Sequence, residues 1–562
     1  MRERSIILLL FSISALVRYG LADLSEWSID EASNLWLASR ITEGEMEQLG
    51  LLSSIGIRNL VGAPLMAVPF TFLPDLLSVS RGLAFLHLVP LAILGFFIGN
   101  RKGGKVFASF ILIFFPSMIF ASFNLWNQYL IIPISVTNLI LLLWLLEGQG
   151  GAVLRASTAS AIVALSLVQP AVHLICFVDL IVQLVLLGAV LVIRPYPFSR
   201  VTAMVWTLVI LALGTAIYYP WIADTILRMQ GRWLSSFRVI VLLVVAATTG
   251  IILVRFKGFK SFLEKILTYI GQSRLFSWVI PVFLFFALFS CAVTSLWGIH
   301  IGRRLLEAID SFGLMILAVQ VILSLLLLPP LFVMLRECWR GLSCRDLIQK
   351  YYPNRSSAAT LLLFHAIFLF GGRFILSPTI FSPFGRSDLL LPLVPALLAP
   401  CILLVLETGY KKISIMSITG VTVTIVILCT FAIFGPTEVF WSKYPHFVPP
   451  SEMCETVDWI AEQHKENNSR REIDLGYDLI HGLEWLPGIT RFPEFRWYSI
   501  GRPYDWLLLR RHGIVNAREG TVDRTGGTGF QIGFRCEHDS LSTMRIIHQT
   551  AHLEIRQNQE SQ

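Results

Sequence analysis

Residues 21–44 read LADLSEWSIDEASNLWLASRITEG, an acidic and partly amphipathic segment that lies between two hydrophobic runs. Its centre is the adjacent carboxylate pair Asp30 and Glu31. The preceding run, 1–17, begins with two arginines and has no clear small-residue cleavage site, so we interpret it as a first membrane span and not as a signal peptide. Either interpretation places the acidic segment on the far side of the membrane from the cytoplasm.

The composition is that of a polytopic membrane protein. Of the 562 residues, 55% are hydrophobic and 15% are charged, and the mean hydropathy is +0.68, outside the range of soluble globular chains. Apolar runs long enough to cross a hydrocarbon layer of about 30 Å predict about 13 transmembrane helices. After the first, they lie near 81–99, 106–122, 129–146, 157–170, 171–193, 201–219, 239–254, 275–299, 311–334, 357–376, 389–407 and 414–435. The run 60–72 is predicted to dip into the membrane without crossing it.

The distribution of basic residues predicts the orientation. Loops assigned to the cytoplasm carry roughly twice as many Lys and Arg as the other loops, as the positive-inside rule expects. This explains the net charge of +8 and the pI of about 9.1 without a nucleic-acid partner, which we exclude. An odd number of spans with a cytoplasmic N-terminus places the C-terminus outside. The prediction is an integral, multi-pass protein of the plasma or inner membrane.

The composition changes after residue 435, which divides the chain into a transmembrane domain, 1–435 with an external loop 23–58, and a small extracytoplasmic α/β domain, 436–562. SEMCETVDWIAEQH (451–464) has apolar residues at helical spacing behind a Ser451 cap. Three segments predict strands and two predict helices. The strands are REIDL (471–475), RFPEFRWYS (491–499) and GFQIGF (529–534), and the helices are DLIHGLEWL (478–486) and PYDWLLLRR (503–511).

The eight cysteines are scattered singly and give no metal-ligand pattern. A disulfide between Cys454 and Cys536 is left open, and so is a divalent metal; no cofactor is required by the sequence. Asp179 is a further candidate for function, because an ionisable residue inside a span is costly unless it is functional or paired. His173 and His365 are the partners that we considered for it.

The segment from Ser28 to Glu31 reads as a capping box, with Ser28 as N-cap and Glu31 at the third helical position. Ala32, Leu35, Trp36 and Ser39 then share one face of a helix along the membrane surface. Capping and the helix dipole account for Glu31. Asp30 is not needed for the box, and it is positioned to act as a general base toward a hydroxyl acceptor.

Two segments carry a resemblance to a known family. Residues 15–44, ALVRYGLADLSEWSIDEASNLWLASRITEG, resemble the start of the GT-C glycosyltransferases that use polyprenyl-phosphate sugars, a group with protein O-mannosyltransferases and lipid A aminoarabinose transferases. Residues 382–400, SPFGRSDLLLPLVPALLAP, are similar to the segment that opens a late span in that group, with Ser387 in place of an aromatic residue. The plan of about 13 spans, a long first external loop and a C-terminal external domain is also similar.

The resemblance implies an all-α GT-C-like bundle that transfers a sugar, with inversion, from a polyprenyl-phosphate carrier to a lipid, glycan or protein acceptor on the outer face. Asp30, with Glu31 beside it, would supply the base. Arginines at the outer face would hold the carrier phosphate, because a guanidinium binds phosphate oxygens bidentately. The arginines predicted at or near that face are Arg18, Arg58, Arg81, Arg303, Arg304, Arg373 and Arg386. Arg81 and Arg386 stand where the family usually has Arg, and Arg58 and Arg373 are the next candidates.

Two departures from the family and two other function classes remain open. The second external loop reads FNLWNQYL (123–130), without the acidic residue that the family often has there, and a His-Pro-Pro-like element is reduced to Gly62-Ala63-Pro64. A transporter or flippase for a lipid-linked substrate would also need a hydrophobic groove and external arginines, although no repeated halves are evident. The third reading is a non-catalytic member of the fold that binds the carrier or a partner.

Overall fold

A computed structural model describes the chain in separate ranges. They are 2–25, 29–44, 49–52, 58–99, 103–125, 127–148, 150–173, 176–193, 265, 268–269, 271–297, 319, 321–353, 355–376, 391–408, 420, 422–430, 450–467, 473–475, 506–510, 545–550 and 553–557. The predicted spans 201–219 and 239–254 lie outside these ranges.

The first part of the chain is a long helix followed by a compact capping segment. Its elements are α1 Arg2–Leu21, a 3-10 turn Ala22–Leu24, α2 Ile29–Thr42, the antiparallel strands β1 Leu49–Leu52 and β2 Arg58–Leu60, α3 Gly62–Ala67, a 3-10 helix Val68–Phe72 and α4 Leu76–Ile98. α3 and the 3-10 helix after it have six and five residues, too few to cross a bilayer. This agrees with the prediction of a membrane-dipping segment at 60–72.

The next helices form the centre of the bundle. They are α5 Gly104–Phe114, α6 Pro116–Ala121, α7 Asn127–Glu147, α8 Ala152–Val172 and α9 Phe177–Ile193. The predicted span 106–122 is interrupted because the residue before a proline avoids the α region, and Phe115 has φ −65° and ψ 125°. The two helices predicted at 157–170 and 171–193 are found as α8 and α9, but their boundary is shifted, because α8 continues through Pro170 to Val172 and α9 begins at Phe177. Proline is tolerated in membrane helices when neighbouring groups satisfy the freed backbone.

The remaining helices complete the bundle. They are α10 Arg274–Trp297, α11 Val321–Leu327, α12 Pro329–Trp339, α13 Cys344–Tyr351, α14 Ser356–Leu376 and α15 Val394–Thr408, with a 3-10 turn Leu391–Leu393 before α15. α11 and α12 meet at a 40° bend, at the pair Pro329-Pro330, which cannot donate backbone hydrogen bonds. A helical segment also covers 422–430.

The described residues after 449 form one helix and a mixed sheet. α16 spans Pro450–Asn467, which confirms the helix predicted at 451–464. The strands β3 Ile473–Leu475, β4 Trp506–Arg510, β5 Arg545–Gln549 and β6 Leu553–Gln557 are arranged in the order β3-β4-β6-β5, and only the β3-β4 pair is parallel. β3 confirms the strand predicted at 471–475. The helix predicted at 503–511 is wrong, because its apolar core pairs with strands on both sides; a short apolar run does not distinguish helix from strand by itself.

Within the described ranges, six helices are long and apolar enough to cross a membrane, or seven if the bent pair α11–α12 is one span. The six are Glu3–Leu21, Leu76–Ile98, Asn127–Glu147, Ala152–Val172, Ser356–Arg373 and Leu391–Thr408. The described residues therefore form a polytopic helical bundle, and the count of about 13 spans stays a prediction.

Side-chain contacts define two ends of this bundle. The acidic-loop end is where α1 finishes and α4 and α7 begin. There Ser25 and Ser80 share a hydrogen bond of 2.8 Å, and a Cβ added to Gly62 would lie 2.5 Å from the backbone of Ala171 at the end of α8. At the opposite end, Arg355 donates to the carbonyls of Phe97 and Ile98, each at 2.9 Å, just before α14 begins.

Candidate functional site

Arg18 is a buried cation near the C-terminal end of α1, and its side chain has no exposed surface. Its Nε donates to Ser122 Oγ at 3.1 Å, one Nη donates to Ser14 Oγ, and the other reaches the carbonyl of Met118 at 3.5 Å. Within the described residues, no carboxylate pairs with it. A buried charge is costly without a counter-ion, so Arg18 is suited to an anionic ligand.

Arg81 lies beside Arg18, one turn into α4. The start of α4 is set by Asp75, whose carboxylate accepts from the backbone N–H of Ser78 at 2.6 Å. The Arg81 guanidinium lies over the ring of Tyr19, 3.6 Å from its centroid, and its buried Nε has no hydrogen-bond partner among the residues that the structure describes.

A narrow cleft between α1 and α4 brings the two arginines together. It is lined by Ala15, Arg18, Tyr19, Arg81, Ala84, Phe85 and Leu88. The cleft has no room for a water-sized sphere in this conformation. An anion would therefore enter only after the Arg81–Tyr19 stack has opened.

The predicted helix after Ser28 is confirmed as α2, and Asp30 and Glu31 occupy its first turn. Asn34, one helical turn after Asp30, is fully buried. Its Nδ2 donates to Asn127 Oδ1 at 2.6 Å and to the carbonyl of Leu125 at 3.4 Å. The loop 122–127 thus contacts Arg18 through Ser122 and α2 through Asn127. Asn127, one of the polar residues that this segment has in place of an acidic one, is therefore a contact of α2.

The described middle of α2 is packed into the acidic-loop end. Leu35, Leu37 and Ala38 are at most 3% exposed. Leu35 and Ala38 belong to one apolar cluster with Phe70 after α3 and Leu83 in α4. The predicted apolar face is confirmed at Leu35, and the position of α2 along the membrane surface stays a prediction. Ala63 and Ala67 of α3 belong to the same apolar cluster as Leu35 and Ala38.

Of the other predicted phosphate ligands, the structure describes the side chain of Arg373 but not those of Arg58 and Arg386. Arg58 begins β2, and its side chain lies outside the described part, as do the side chains of Asp30 and Glu31. Arg386 lies outside the described residues altogether. Arg373 is fully buried in α14 and binds the carboxylate of Asp179 in α9, with an Nη at 2.9 Å from Oδ1 and 2.7 Å from Oδ2.

Asp179 therefore has an arginine as its partner, and the interpretation that His173 or His365 pairs with it is replaced. His365 instead lies 2.9 Å from the Nε2 of Gln183, with both residues fully buried. Asp179 and Gln183 are one turn apart on α9, so the two contacts form a polar ladder between α9 and α14.

Three residues of the candidate site were not predicted from the sequence: Asn34, Tyr19 and Ser122. Asn34 contacts Asn127, Tyr19 lies under the Arg81 guanidinium, and Ser122 accepts from Arg18. Asn34 could have been found as a polar residue one turn after Asp30, and Tyr19 as an aromatic residue next to Arg18. Among the described residues, no group of three or more His, Cys, Asp or Glu side chains could hold a metal ion. Cys454 is a free thiol among the described residues, and Cys536, the other cysteine of the disulfide that was left open, lies outside them.

The fold and its buried charges define the class as a polytopic helical membrane protein. No family model matches the chain, and no curated protein matches it.

Proposed function

We propose that this protein is an integral membrane glycosyltransferase that moves a sugar from a polyprenyl-phosphate carrier to an acceptor on the outer face of the membrane. One observation carries the proposal: the loop 122–127 contacts the buried cation Arg18 on one side and the Asp30-bearing helix α2 on the other. A binding group for a phosphate and a candidate base are thereby held by the same short segment. Inverting transfer needs a base on one side of the sugar and a cationic site for the leaving phosphate on the other.

Arg18 and Arg81 take the carrier phosphate in this proposal. Both line the cleft between α1 and α4, and among the described residues neither forms an ion pair with a carboxylate. The guanidiniums would stabilise the negative charge that the phosphate gains as the glycosidic bond breaks. Opening of the Arg81–Tyr19 stack admits the headgroup, and the apolar wall of Ala84, Phe85 and Leu88 suits the first isoprene units.

Asp30 accepts the proton of the acceptor hydroxyl. A carboxylate in the first turn of a helix is stabilised in its ionised form by the helix dipole, and a general base must be ionised. Glu31 stays a predicted catalytic residue beside Asp30 in the first turn of α2. Arg373 would join phosphate binding only by exchanging Asp179 for the substrate, so it ranks below Arg81 as a ligand, and Arg58 and Arg386 remain predicted ligands. The activity needs no nucleic acid, and a divalent metal stays open.

The first test measures transfer from labelled polyprenyl-phosphate sugars in membranes that contain the protein. Asp30→Asn removes the base, and we expect a fall in rate of about 100-fold or more, as general-base catalysis contributes that much. Arg81→Gln should weaken donor binding and raise the apparent KM for the carrier more than it changes the rate at saturation.

Two matched controls accompany these variants. Glu43→Gln removes an exposed carboxylate just after α2, and Arg155→Gln removes a cation from the other end of α8. Both should retain wild-type transfer. Unchanged transfer in Asp30→Asn would remove Asp30 from the mechanism, and no transfer from any sugar donor would overturn the proposal.

A transporter of lipid-linked substrates is the second candidate, favoured by the polar ladder between α9 and α14. Ionisable residues buried in membrane helices are costly and mark substrate or ion pathways in many transporters. Protein in vesicles that moves a fluorescent polyprenyl-phosphate sugar between leaflets without forming a new glycoside would support this alternative. Loss of that movement in the double variant Asp179→Leu and Arg373→Met, which removes both buried charges together, with retention in Asp30→Asn, would separate it from transfer.

A further inference from the structure

Five basic side chains converge at the end of the bundle opposite the acidic loop. We call this set the basic patch; its members are Arg274, Arg336, Arg340, Arg345 and Lys350. They come from two separate parts of the chain, the start of α10 and the segment from α12 through α13. The proposed transfer reaction makes no use of them.

Close backbone contacts bring the two parts together. A Cβ added to Gly341 would lie 3.7 Å from the Cζ atom of Arg274, and one added to Gly271 would lie 3.6 Å from the Cβ of Arg345. The backbone N–H of Cys344 also donates to the carbonyl of Ser273, at 3.4 Å. The guanidinium of Arg274 is therefore next to the turn between α12 and α13, which Arg340 precedes and Arg345 follows.

A buried carboxylate organises three of the five cations. The Glu337 side chain is 6% exposed, and its oxygens lie 2.8 Å from Arg340, 2.7 Å from Lys350 and 3.8 Å from Arg336. The three cationic side chains are themselves 50–64% exposed. Glu337 thus lies beneath them and holds them at the surface. A guanidinium has five N–H donors, more than one carboxylate uses, so donors are left to face outward.

The patch keeps an excess of positive charge. Among the described residues of 271–353, the carboxylates are Glu337 and Asp346. Asp346 lies in the first turn of α13, where its carboxylate accepts from the Ser343 hydroxyl at 2.6 Å. Two carboxylates do not neutralise five cations, so the surface favours an anionic ligand.

The surroundings of the patch place it at the depth of lipid headgroups. It lies where the apolar helix α12 ends, and α13 buries Leu347 and Tyr351 while exposing Arg345 and Lys350. Trp339 is 82% exposed and packs edge-on against Trp278, with 6.0 Å between the ring centroids. Exposed tryptophan beside clustered Arg and Lys is typical of the membrane–water interface.

We propose that the basic patch binds the phosphate group of an anionic phospholipid such as phosphatidylglycerol. Arg336, Arg340 and Lys350, preorganised by Glu337, hold the phosphate oxygens, and Arg274 and Arg345 extend the site. Trp339 packs against the upper part of the acyl chains. The site lies at the other end of the bundle from the candidate transfer site and does not depend on the proposed function.

Titration of the purified full-length protein in neutral detergent tests the site. Short-chain phosphatidylglycerol is added, and the midpoint of thermal unfolding is followed, with phosphatidylcholine of the same chain length as the reference. For the wild type, we expect phosphatidylglycerol to raise the midpoint of thermal unfolding and phosphatidylcholine to leave it unchanged. In the double variant Arg336→Gln and Arg340→Gln, its apparent affinity should fall about tenfold or more, because hydrogen bonds to charged groups are lost.

The controls separate a built site from diffuse charge. Lys105→Gln removes a cation at the same end that lies over the Phe96 ring and not in the patch, and affinity should stay at the wild-type value. Arg345→Gln, which leaves the Glu337 contacts in place, should weaken binding if the double variant fails to fold. Equal effects of the two lipids, an equal loss in Lys105→Gln, or full competition by the same concentration of inorganic phosphate would each overturn the proposal.

Discussion

At the scale of single residues, Asp179 and Arg373 form an ion pair inside the helical bundle. Both side chains have no exposed surface. Taking two charges out of water is costly, and their attraction offsets that cost only while both partners are present. The pair therefore tells us more about the specificity of packing between α9 and α14 than about net stability.

Removing one partner of this pair should destabilise the protein strongly. Asp179→Asn leaves the charge of Arg373 buried, and we expect a loss of about 3–5 kcal/mol, measured as a lower midpoint of thermal unfolding in detergent. The double variant Asp179→Leu and Arg373→Met should recover most of that loss, since apolar replacements of a buried pair are often neutral. Failure of the double variant to recover would mean that the pair is needed for more than charge balance.

At the scale of elements, the contact between Asp23 and α16 joins the first external segment to the C-terminal region. The Asp23 carboxylate accepts from the backbone N–H of Ser451 at 2.9 Å and from its hydroxyl at 2.7 Å. The sequence predicted Ser451 as the cap of this helix, but the helix starts at Pro450 and a carboxylate 428 residues away serves its first turn. α16 then packs against the start of α4, which carries Arg81.

Cys454 reports whether α16 is docked. Burial raises the pKa of its thiol to about 11, so little of the reactive thiolate exists at pH 8 while the helix is docked. Asp23→Ala removes a cap worth about 1 kcal/mol, which should increase undocking about fivefold. We expect alkylation of Cys454 at pH 8, measured by peptide mass spectrometry, to accelerate by that factor.

The same protein supplies an internal reference. Cys344, at the opposite end of the bundle, also has a thiol pKa raised to about 11 by burial, and its alkylation should not respond to Asp23→Ala. An unchanged rate at Cys454 would show that Asp23 does not hold α16.

At the scale of the whole molecule, the two ends of the helical bundle carry different charged groups. The acidic-loop end holds α2, α16 and the Arg18–Arg81 cleft, whereas the opposite end holds the basic patch. The positive-inside rule then predicts that the patch faces the cytoplasm and that the acidic-loop end faces outward. The orientation decides whether the candidate transfer site can serve external acceptors.

Two exposed positions test the orientation in intact cells. Glu43→Cys, after α2, should react with a membrane-impermeant maleimide from outside, and Gln349→Cys, in α13, should react only after permeabilisation. Peptide mass spectrometry separates these sites from the native cysteines. The reverse pattern would invert the topology and exclude an external transfer site.

The sequence by itself determined the membrane class, α2 and α16. Helices close their hydrogen bonds within a few residues, and a span needs only sufficient apolar length, so both leave local signals. The candidate site was predicted only in part, since Arg81 and the helix of Asp30 were named but Asn34, Tyr19 and Ser122 were not.

Only the tertiary structure decided which groups meet. β4 became a strand because partners on both sides pair with it. Arg373 binds Asp179 across 194 residues. Arg18 and Asn34 contact Ser122 and Asn127, which are 104 and 93 residues away. Local propensity carries no information about such contacts, because they depend on how the helices pack against one another.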